Sequence, residues 1–330
     1  MGLAPCFQVI ANGNDISQSI FDLLESISVT DQTGYESDTC EINLIDDPDN
    51  PIDMPPRGAE LEIAIGYDGS MVKMGLFVVD EVELSGPPSK MVIRGRASVQ
   101  VESSQGKKAL QSQKSRTWPK DSTISEVISK VAGEHGLGSK ISSSLQAIKL
   151  PQISQSDESD LAFLMRLAKR YDAICKPAGG KIVFVKRGEE DTGTVTLSKN
   201  QVSSWSMTRS SAESNGSVIC YWYEKAKAKK HEVKVGDGEP VRRLRHNYPD
   251  EASAQAAAQA SLDTSRRNED KLTVGMPGDP NISAETNLIM SDFREGIAGD
   301  WVIEQATHSI DKSIGFKTSI EAVKSLSDED

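Results

Sequence analysis

Gly75-Leu76-Phe77-Val78-Val79-Asp80-Glu81-Val82-Glu83-Leu84-Ser85 and Gly299-Asp300-Trp301-Val302-Ile303-Glu304-Gln305-Ala306-Thr307-His308-Ser309 carry one pattern twice. In each, apolar side chains first fall on odd positions, Phe77 and Val79 in one and Trp301 and Ile303 in the other. The phase then moves to even positions, Val82 and Leu84 against Ala306 and His308, the last only partly apolar. Alternation at period two marks a strand with one buried face, and a flip at the same place predicts a shared bulge or bend. After a turn that differs by one residue, Met91, Ile93, Gly95 and Ala97 align with Phe316, Thr318, Ile320 and Ala322. Two β domains of similar build in one chain are the simplest explanation.

From Pro5 to about Val101 the period-two pattern persists, as in Thr39-Cys40-Glu41-Ile42-Asn43-Leu44 and Glu60-Leu61-Glu62-Ile63-Ala64-Ile65. Turns such as Asn12-Gly13-Asn14-Asp15 and Tyr67-Asp68-Gly69-Ser70 break it, so the first hundred or so residues read as an antiparallel sheet or barrel with one wet face. Residues 102–121, basic around Trp118-Pro119, read as a connector lying on the surface or docked on a neighbour. Ile124, Val127, Ile128 and Val131 then follow helical spacing, with Thr123 and Glu126 placed as a capping box and Gly136 as the stop. A second helix is expected after Pro151, entered through Ser156-Asp157-Glu158-Ser159-Asp160 and carrying Leu161, Leu164, Ala168 and Tyr171 on one stripe. Gly179-Gly180 predicts a hairpin into Lys181-Ile182-Val183-Phe184-Val185. The β pattern returns near Val195 and includes Ser217-Val218-Ile219-Cys220-Tyr221-Trp222-Tyr223; an alanine-rich helix is expected at about 250–267, and strands resume from Lys271 to Ala322.

The fold class is therefore mainly β with α/β insertions: two related tube-type β-barrel domains flanking a small α/β module. The expected boundaries are 1–104 for the first barrel, 105–190 for the connector and module, and 191–330 for the second barrel with its inserted helix. A length of 330 residues agrees, because a single hydrophobic core rarely organises more than about 250 to 300. The apolar fraction of 37% is low, which predicts burial between copies to supplement the core. No run approaches the roughly 20 apolar residues that cross a bilayer, and the first six residues show neither a basic leader nor an apolar export core, so synthesis in the cytosol is expected.

Tests for chemistry give no site. Cys6, Cys40, Cys175 and Cys220 lie far apart and read as small buried hydrophobes rather than a metal or redox set. Gly133-Glu134-His135-Gly136-Leu137-Gly138-Ser139-Lys140 has glycines of phosphate-loop kind, but it follows a helix and lacks the Gly-Lys-Ser/Thr order, so it reads as helix termination. His135, His231, His246 and His308 are dispersed, and no Gly-x-Ser-x-Gly elbow is present. The acidic clusters Asp46-Asp47, Glu189-Glu190-Asp191 and Asp328-Glu329-Asp330 sit in expected turns or at the end and read as solvated charge. Lys225, Lys227, Lys229 and Lys230 beside Tyr221-Trp222-Tyr223 raise a nucleic-acid groove, against which stands a net charge of -12. A wet strand face or an acidic protein partner fits better. No catalytic, cofactor-binding or metal-binding residue is assigned.

Over almost the whole chain the residues resemble the phage late control gene D proteins, baseplate hubs of contractile tails. The matching stretches begin with Met54-Pro55-Pro56-Arg57-Gly58-Ala59-Glu60-Leu61 and Gly66-Tyr67, then Val79-Asp80-Glu81-Val82-Glu83-Leu84-Ser85-Gly86-Pro87-Pro88 and Ile93-Arg94-Gly95-Arg96-Ala97. They continue with Asp157-Glu158-Ser159-Asp160-Leu161, Phe163-Leu164, Arg166-Leu167-Ala168, Trp301-Val302-Ile303-Glu304, His308-Ser309 and Gly315-Phe316.

The resemblance implies a structural protein of the tail baseplate, or of a tail-like particle, made in the bacterial host cytoplasm. It implies a homotrimer whose paired barrels form a pseudo-sixfold ring between a hexameric tail tube and a trimeric spike, with wedge proteins and the tape measure protein as further contacts. The spike is expected as a separate chain, since none of its repeats is seen before Asp330. No membrane, no cofactor and no sequence-specific nucleic acid enter this reading, and the acidic charge is expected partly to line the lumen and keep DNA from sticking. The competing class is an enzyme, a tail-associated peptidoglycan hydrolase, which requires a cleft with a buried carboxylate of raised pKa.

Overall fold

The computed structural model describes residues 4–34, 38–56, 58–97, 112–178, 180–189, 193–210, 214–224 and 227–326. The first β region contains β1 (Pro5–Ala11), β2 (Asn14–Asp15), the short helix α1 (Ser17–Phe21), β3 (Leu24–Gln32), β4 (Thr39–Ile45), β5 (Glu60–Tyr67), β6 (Ser70–Ser85) and β7 (Lys90–Ala97). The middle contains β8 (Gln113–Trp118), α2 (Ile124–Glu134), β9 (Gly138–Ile141), α3 (Ser143–Gln146), β10 (Ile153–Ser159), α4 (Asp160–Arg170), β11 (Ala173–Ala178) and β12 (Lys181–Lys186). The last part runs through β13 (Thr194–Leu197), β14 (Ser204–Arg209), β15 (Ser217–Glu224), β16 (Lys229–Val235), β17 (Val241–Tyr248) and α5 (Glu251–Arg267). It ends with β18 (Asp270–Pro277), β19 (Asn287–Met290), β20 (Gly299–Asp311) and β21 (Gly315–Lys324). Among the described residues no helix is long and apolar enough to cross a membrane.

Two compact units form. The first gathers residues 1–98, 192–207 and 272–322, and the second 99–191, 208–271 and 323–330. The first is built on a 13-stranded sheet of order β14-β18-β21-β20-β3-β4-β7-β6-β5-β1-β2, with β19 beside β20 and β13 beside β19. The path ends at β14 and β2, so among the described residues no sheet closes on itself. That corrects the barrel expected for each half of the isolated chain: alternation fixes which face of a strand is buried but says nothing about closure, which is set by tilt and stagger.

The repeat is present in coordinates. β3-β4-β7-β6-β5 is one run of neighbours, and β14-β18-β21-β20-β19 is the same run made from the second half, each in the same chain order. Glu60 and Leu61 pair with Val78 and Phe77; Asn287 and Leu288 pair with Val302 and Trp301. Val79 N–H donates to the Ala59 carbonyl (2.9 Å) and the Val79 carbonyl accepts from Gly58 N–H (3.2 Å), while Ile303 N–H donates to the Thr286 carbonyl (3.0 Å) and the Ile303 carbonyl accepts from Glu285 N–H (2.7 Å). Gly58 and Glu285 share a positive φ, 78° and 71°. The sixth strand departs from the match, for β1 runs antiparallel to β5 and β13 parallel to β19.

The phase flip has the expected cause in β6. Its register against β7 shifts between Val79 and Glu81, a bulge that leaves Asp80 and Glu81 both exposed and returns Val82 to the core side. In β20 the buried positions likewise change from Trp301 and Ile303 to Ala306, His308 and Ile310. Phe77 and Trp301 are each fully enclosed, the one in the core of the first half and the other in that of the second. Across the halves Tyr67 Oη donates to the Gly278 carbonyl at 2.9 Å, and its ring meets Phe316 at 5.3 Å.

In the second unit α2 begins as anticipated. Thr123 accepts from Glu126 N–H and Glu126 accepts from Thr123 N–H, with Ile124, Val127, Ile128 and Val131 buried. Gly136, at φ 67°, ends it, which agrees with reading the glycines around it as termination. The second helix needs correction. Its buried stripe is Phe163, Leu164, Leu167 and Ala168 with Asp160, while Leu161 and Tyr171 are only half-buried, and residues 153–159 are a strand rather than a helix entry. Of the connector expected at 102–121, residues 102–111 lie outside the described residues, 113–118 are a strand, and Trp118 is buried. The alanine-rich segment is α5, capped by Asp250 and packed by Ala254, Ala258 and Leu262 on Val218 and Cys220 of β15.

Candidate functional site

Two features are organised enough to carry function: a buried charge cluster in the second unit and two open strand flanks in the first. The cluster is positioned by β8, whose alternation aims Lys114, Arg116 and Trp118 to one side, and by the start of α4. The Ser159 side chain caps α4, and Asp160 in its first turn is fully buried. A register shift between Gln155 and Glu158 of β10, opposite β8, turns the chain there.

Asp160 accepts four bonds. Oδ1 receives Arg116 (2.5 Å) and Gln155 (2.9 Å), and Oδ2 receives Lys114 (2.6 Å) and His135 Nε2 (2.8 Å). Arg116 also donates to both oxygens of Glu134 at 2.8 Å, and its guanidinium lies 4.3 Å over the Trp118 ring, which stacks on Phe163. Burial pushes the Asp160 pKa up, but Lys114, Gln155, His135 and Arg116 outweigh it and hold the group at about 2. Glu134 is likewise held low: burial raises it, and Arg116 and Lys114 more than offset that.

Glu134, His135 and Asp160 present ligand atoms within 4.8 Å of one another. The donor set suits a cation poorly, because both Asp160 oxygens are filled and two fixed cations, Lys114 and Arg116, already occupy the space a metal would need. Nor does the pair make a catalytic dyad. His135 donates through Nε2 to Asp160, while its buried Nδ1 has no hydrogen-bond partner, so no nucleophile is joined to it. Two acids and two bases balance in the cluster, which ties β8, α2, β10 and α4 together.

The remaining sequence candidates stay apart. His308 is buried between Thr318 Oγ1 (3.1 Å) and the Ile282 carbonyl (2.9 Å), and His231 stacks on Trp222 and reaches Glu224. Cys40, Cys175 and Cys220 are buried, with Cys6 half-buried. Of the basic run, Lys227 pairs with Glu224 in a turn and Lys230 lies 3.7 Å over the Tyr221 ring, so they form no groove; Lys225 lies outside the described residues. Asp46 and Asp47 lie in the loop after β4, and Glu189 accepts from Ser143 and Ser144, whereas residues 190, 191 and 328–330 lie outside the described residues. Lys114, Arg116 and Asp160 do not stand out as a site in the sequence, where the period-two run Lys114-Ser115-Arg116-Thr117-Trp118 is the available signal.

The open flanks follow from the repeat. Beyond Ile303, β20 pairs from Gln305 to Asp311 with β3, from Gln32 to Ser26. Beyond Val79, the equivalent flank of β6 has no strand beside it among the described residues, and β14, the counterpart of β3, ends the sheet with its outer edge unpaired. Leu84 on that flank is 53% exposed and Trp205 on β14 44%, whereas His308, which matches Leu84, is 2% exposed.

The first unit is thus a duplicated, mainly β sheet that among the described residues leaves two strand flanks open, and the chain adds an α/β insertion to it. The sequence matches the phage tail baseplate hub (GPD) family over residues 78–314, and the chain belongs to that family. It is 30% identical to the probable baseplate hub protein of Escherichia phage 186, covering 99% of this chain and 94% of that one. It is also 30% identical to the probable baseplate hub protein of Escherichia phage P2, covering 99% and 95%. The 43 kDa tail protein of prophage MuSo2 from Shewanella oneidensis shares the fold with a TM-score of 0.70 at 15% identity, over 97% of this chain and 98% of that one. As a baseplate hub protein the chain is a component of the virion tail.

Proposed function

We propose that three copies of this chain close a ring of six β repeats that joins the tail tube to the central spike. One observation carries the reading. The junction from the second repeat to the first is made inside the chain, β20 to β3, while the reverse junction has both halves available, the β6 flank and the β14 edge. Pairing those across copies is a heterologous contact, which generates a ring when the rotation closes. Two repeats per chain let threefold assembly offer six similar faces, suited to a hexameric tube on one side and a trimeric spike on the other.

In this reading the tube-type domains, expected over 1–104 and 191–330, are closed by neighbours rather than by themselves, and residues 208–271, expected within the second of them, belong instead to the unit that holds the 105–190 module. Wedge proteins and the tape measure protein are the further contacts. The reading contains no catalytic step: in the His135–Asp160 pair, which comes nearest to acid–base machinery, both side chains are enclosed and the Asp160 carboxylate already accepts four hydrogen bonds. Light scattering on the purified hub with its spike tests it. A particle holding three chains of 35.8 kDa supports it, and a monomer that cleaves peptidoglycan overturns it.

A further inference from the structure

The second unit holds a concave surface that the hub reading leaves unused. A groove of about 1040 Å³ lies between β17, α4 and α5, and a neighbouring hollow of about 360 Å³ shares Arg166, Arg170 and Tyr248 with it. Arg166, Lys169 and Arg170 face it from α4, and Arg242, Arg243 and Arg245 from β17; no acidic side chain lines it. Glu158 pairs with Arg166 and Glu232 with Arg243, but Lys169, Arg242 and Arg245 have no ion-pair partner among the described residues. Arg170 Nη1 is buried with no hydrogen-bond acceptor. In a chain of net charge -12 this is a concentrated positive field.

The wall is also a strand edge. Among the described residues β17 pairs with β15 on one side only, and residues 242–248 line the groove without alternation, odd and even alike, so the strand meets it edge-on. The opposite wall is made by Ala257, Ala260, Ser261 and Thr264 of α5, whose short side chains leave room for a polypeptide backbone. Charges on an edge strand are a common guard against unwanted pairing. That guard needs only the strand itself, whereas here three further cations on α4 converge on the same space.

We propose that this groove takes an extended acidic segment of a partner protein, added beside β17 as a further strand with its carboxylates on the flanking arginines. Single-stranded nucleic acid would satisfy the charge but not the main-chain edge, and the overall negative charge repels a long polyanion.

The probe is a fluorescein-labelled peptide of about twelve residues alternating threonine and glutamate, long enough for an eight-residue strand at roughly 3.3 Å per residue. Its anisotropy is followed against the full chain at moderate salt. Binding is expected, about tenfold or more weaker to R242E/R245E and to K169E, and unchanged for K229E/K234E on the opposite edge strand. N-methylation of alternate peptide amides is expected to abolish it, and a thymidine oligonucleotide of equal charge to bind more weakly. Equal binding by R242E/R245E and wild type, indifference to N-methylation, or tighter binding of the oligonucleotide would overturn the proposal. The groove does not depend on the ring: L84E, which is expected to disrupt assembly, should bind the peptide as wild type does.

Discussion

Leu84 and His308 occupy the same position in two copies of one strand motif, and β3 covers only the second. His308, on the stretch of β20 that pairs with β3, is 2% exposed and held by Thr318 and the Ile282 carbonyl, and Leu84 is 53% exposed on a flank of β6 that has no strand beside it among the described residues. A leucine on an unpaired strand flank is a liability in a lone monomer and an anchor in an assembly.

Leu84→Glu should therefore break the ring and spare the fold. Removing a leucine that the proposed junction would bury forfeits about 1.5–3 kcal/mol per contact before the cost of an interfacial charge. Sedimentation should show monomers with a wild-type melting temperature; an intact oligomer would place the interface elsewhere.

The interior responds to acid through His308. Burial lowers its pKa below 6.5, and the contact with the Ile282 carbonyl offsets this only partly. The neutral form is favoured in the folded state, so its contribution is full above pH 6.5 and declines as pH falls through the depressed value. Thermal melts should decline below about pH 6.5. His308→Leu should lower stability by about 1–3 kcal/mol at pH 7.5, by stranding the Ile282 carbonyl, and flatten that slope.

Asp160 acts at lower pH. Its folded pKa of about 2 lies below the ordinary 3.8, so its stabilising effect is complete above that ordinary value and is lost as pH drops towards 2. Asp160→Ala leaves Lys114 and Arg116 facing a vacated centre and should cost about 3–5 kcal/mol in denaturant melts. A change under about 1 kcal/mol would mean that the cluster is not the tie described here.

Thiol reactivity should sort the cysteines. Burial pushes Cys40 and Cys175 up to about 12 and Cys220 to about 11, so none offers thiolate at pH 8. Half-buried Cys6 should react first with a chromogenic disulfide, and the other three only on unfolding. Fast labelling of Cys220 in the native state would contradict the packing of β15 under α5.

Much of the fold is legible in the sequence because period-two burial is local. The phase flips at Val79–Val82 and Ile303–Ala306 mark the repeat, and Thr123–Glu126 marks the start of α2, without knowledge of any partner strand. Asp160 is not legible, since an acidic residue opening a helix looks solvated until Lys114 and Arg116 arrive from a strand far back in the chain. The described part of the connector misleads for the same reason, as Lys114 and Arg116 pair inward. Whether a sheet closes depends on strand tilt and stagger, which no local pattern encodes. The groove is hidden too, because Arg242, Arg243 and Arg245 become a site only beside α4.

Cross-linking between copies tests the central claim most directly. In a Cys6→Ser background, Leu84→Cys is combined with a cysteine placed in turn at residues 204–207 of β14 and treated with a short bismaleimide. The account predicts covalent dimers and then trimers on a denaturing gel, ending at three chains, with at least one β14 position reacting efficiently. A chain that stays monomeric, or a trimer in which no such pair joins, would contradict it.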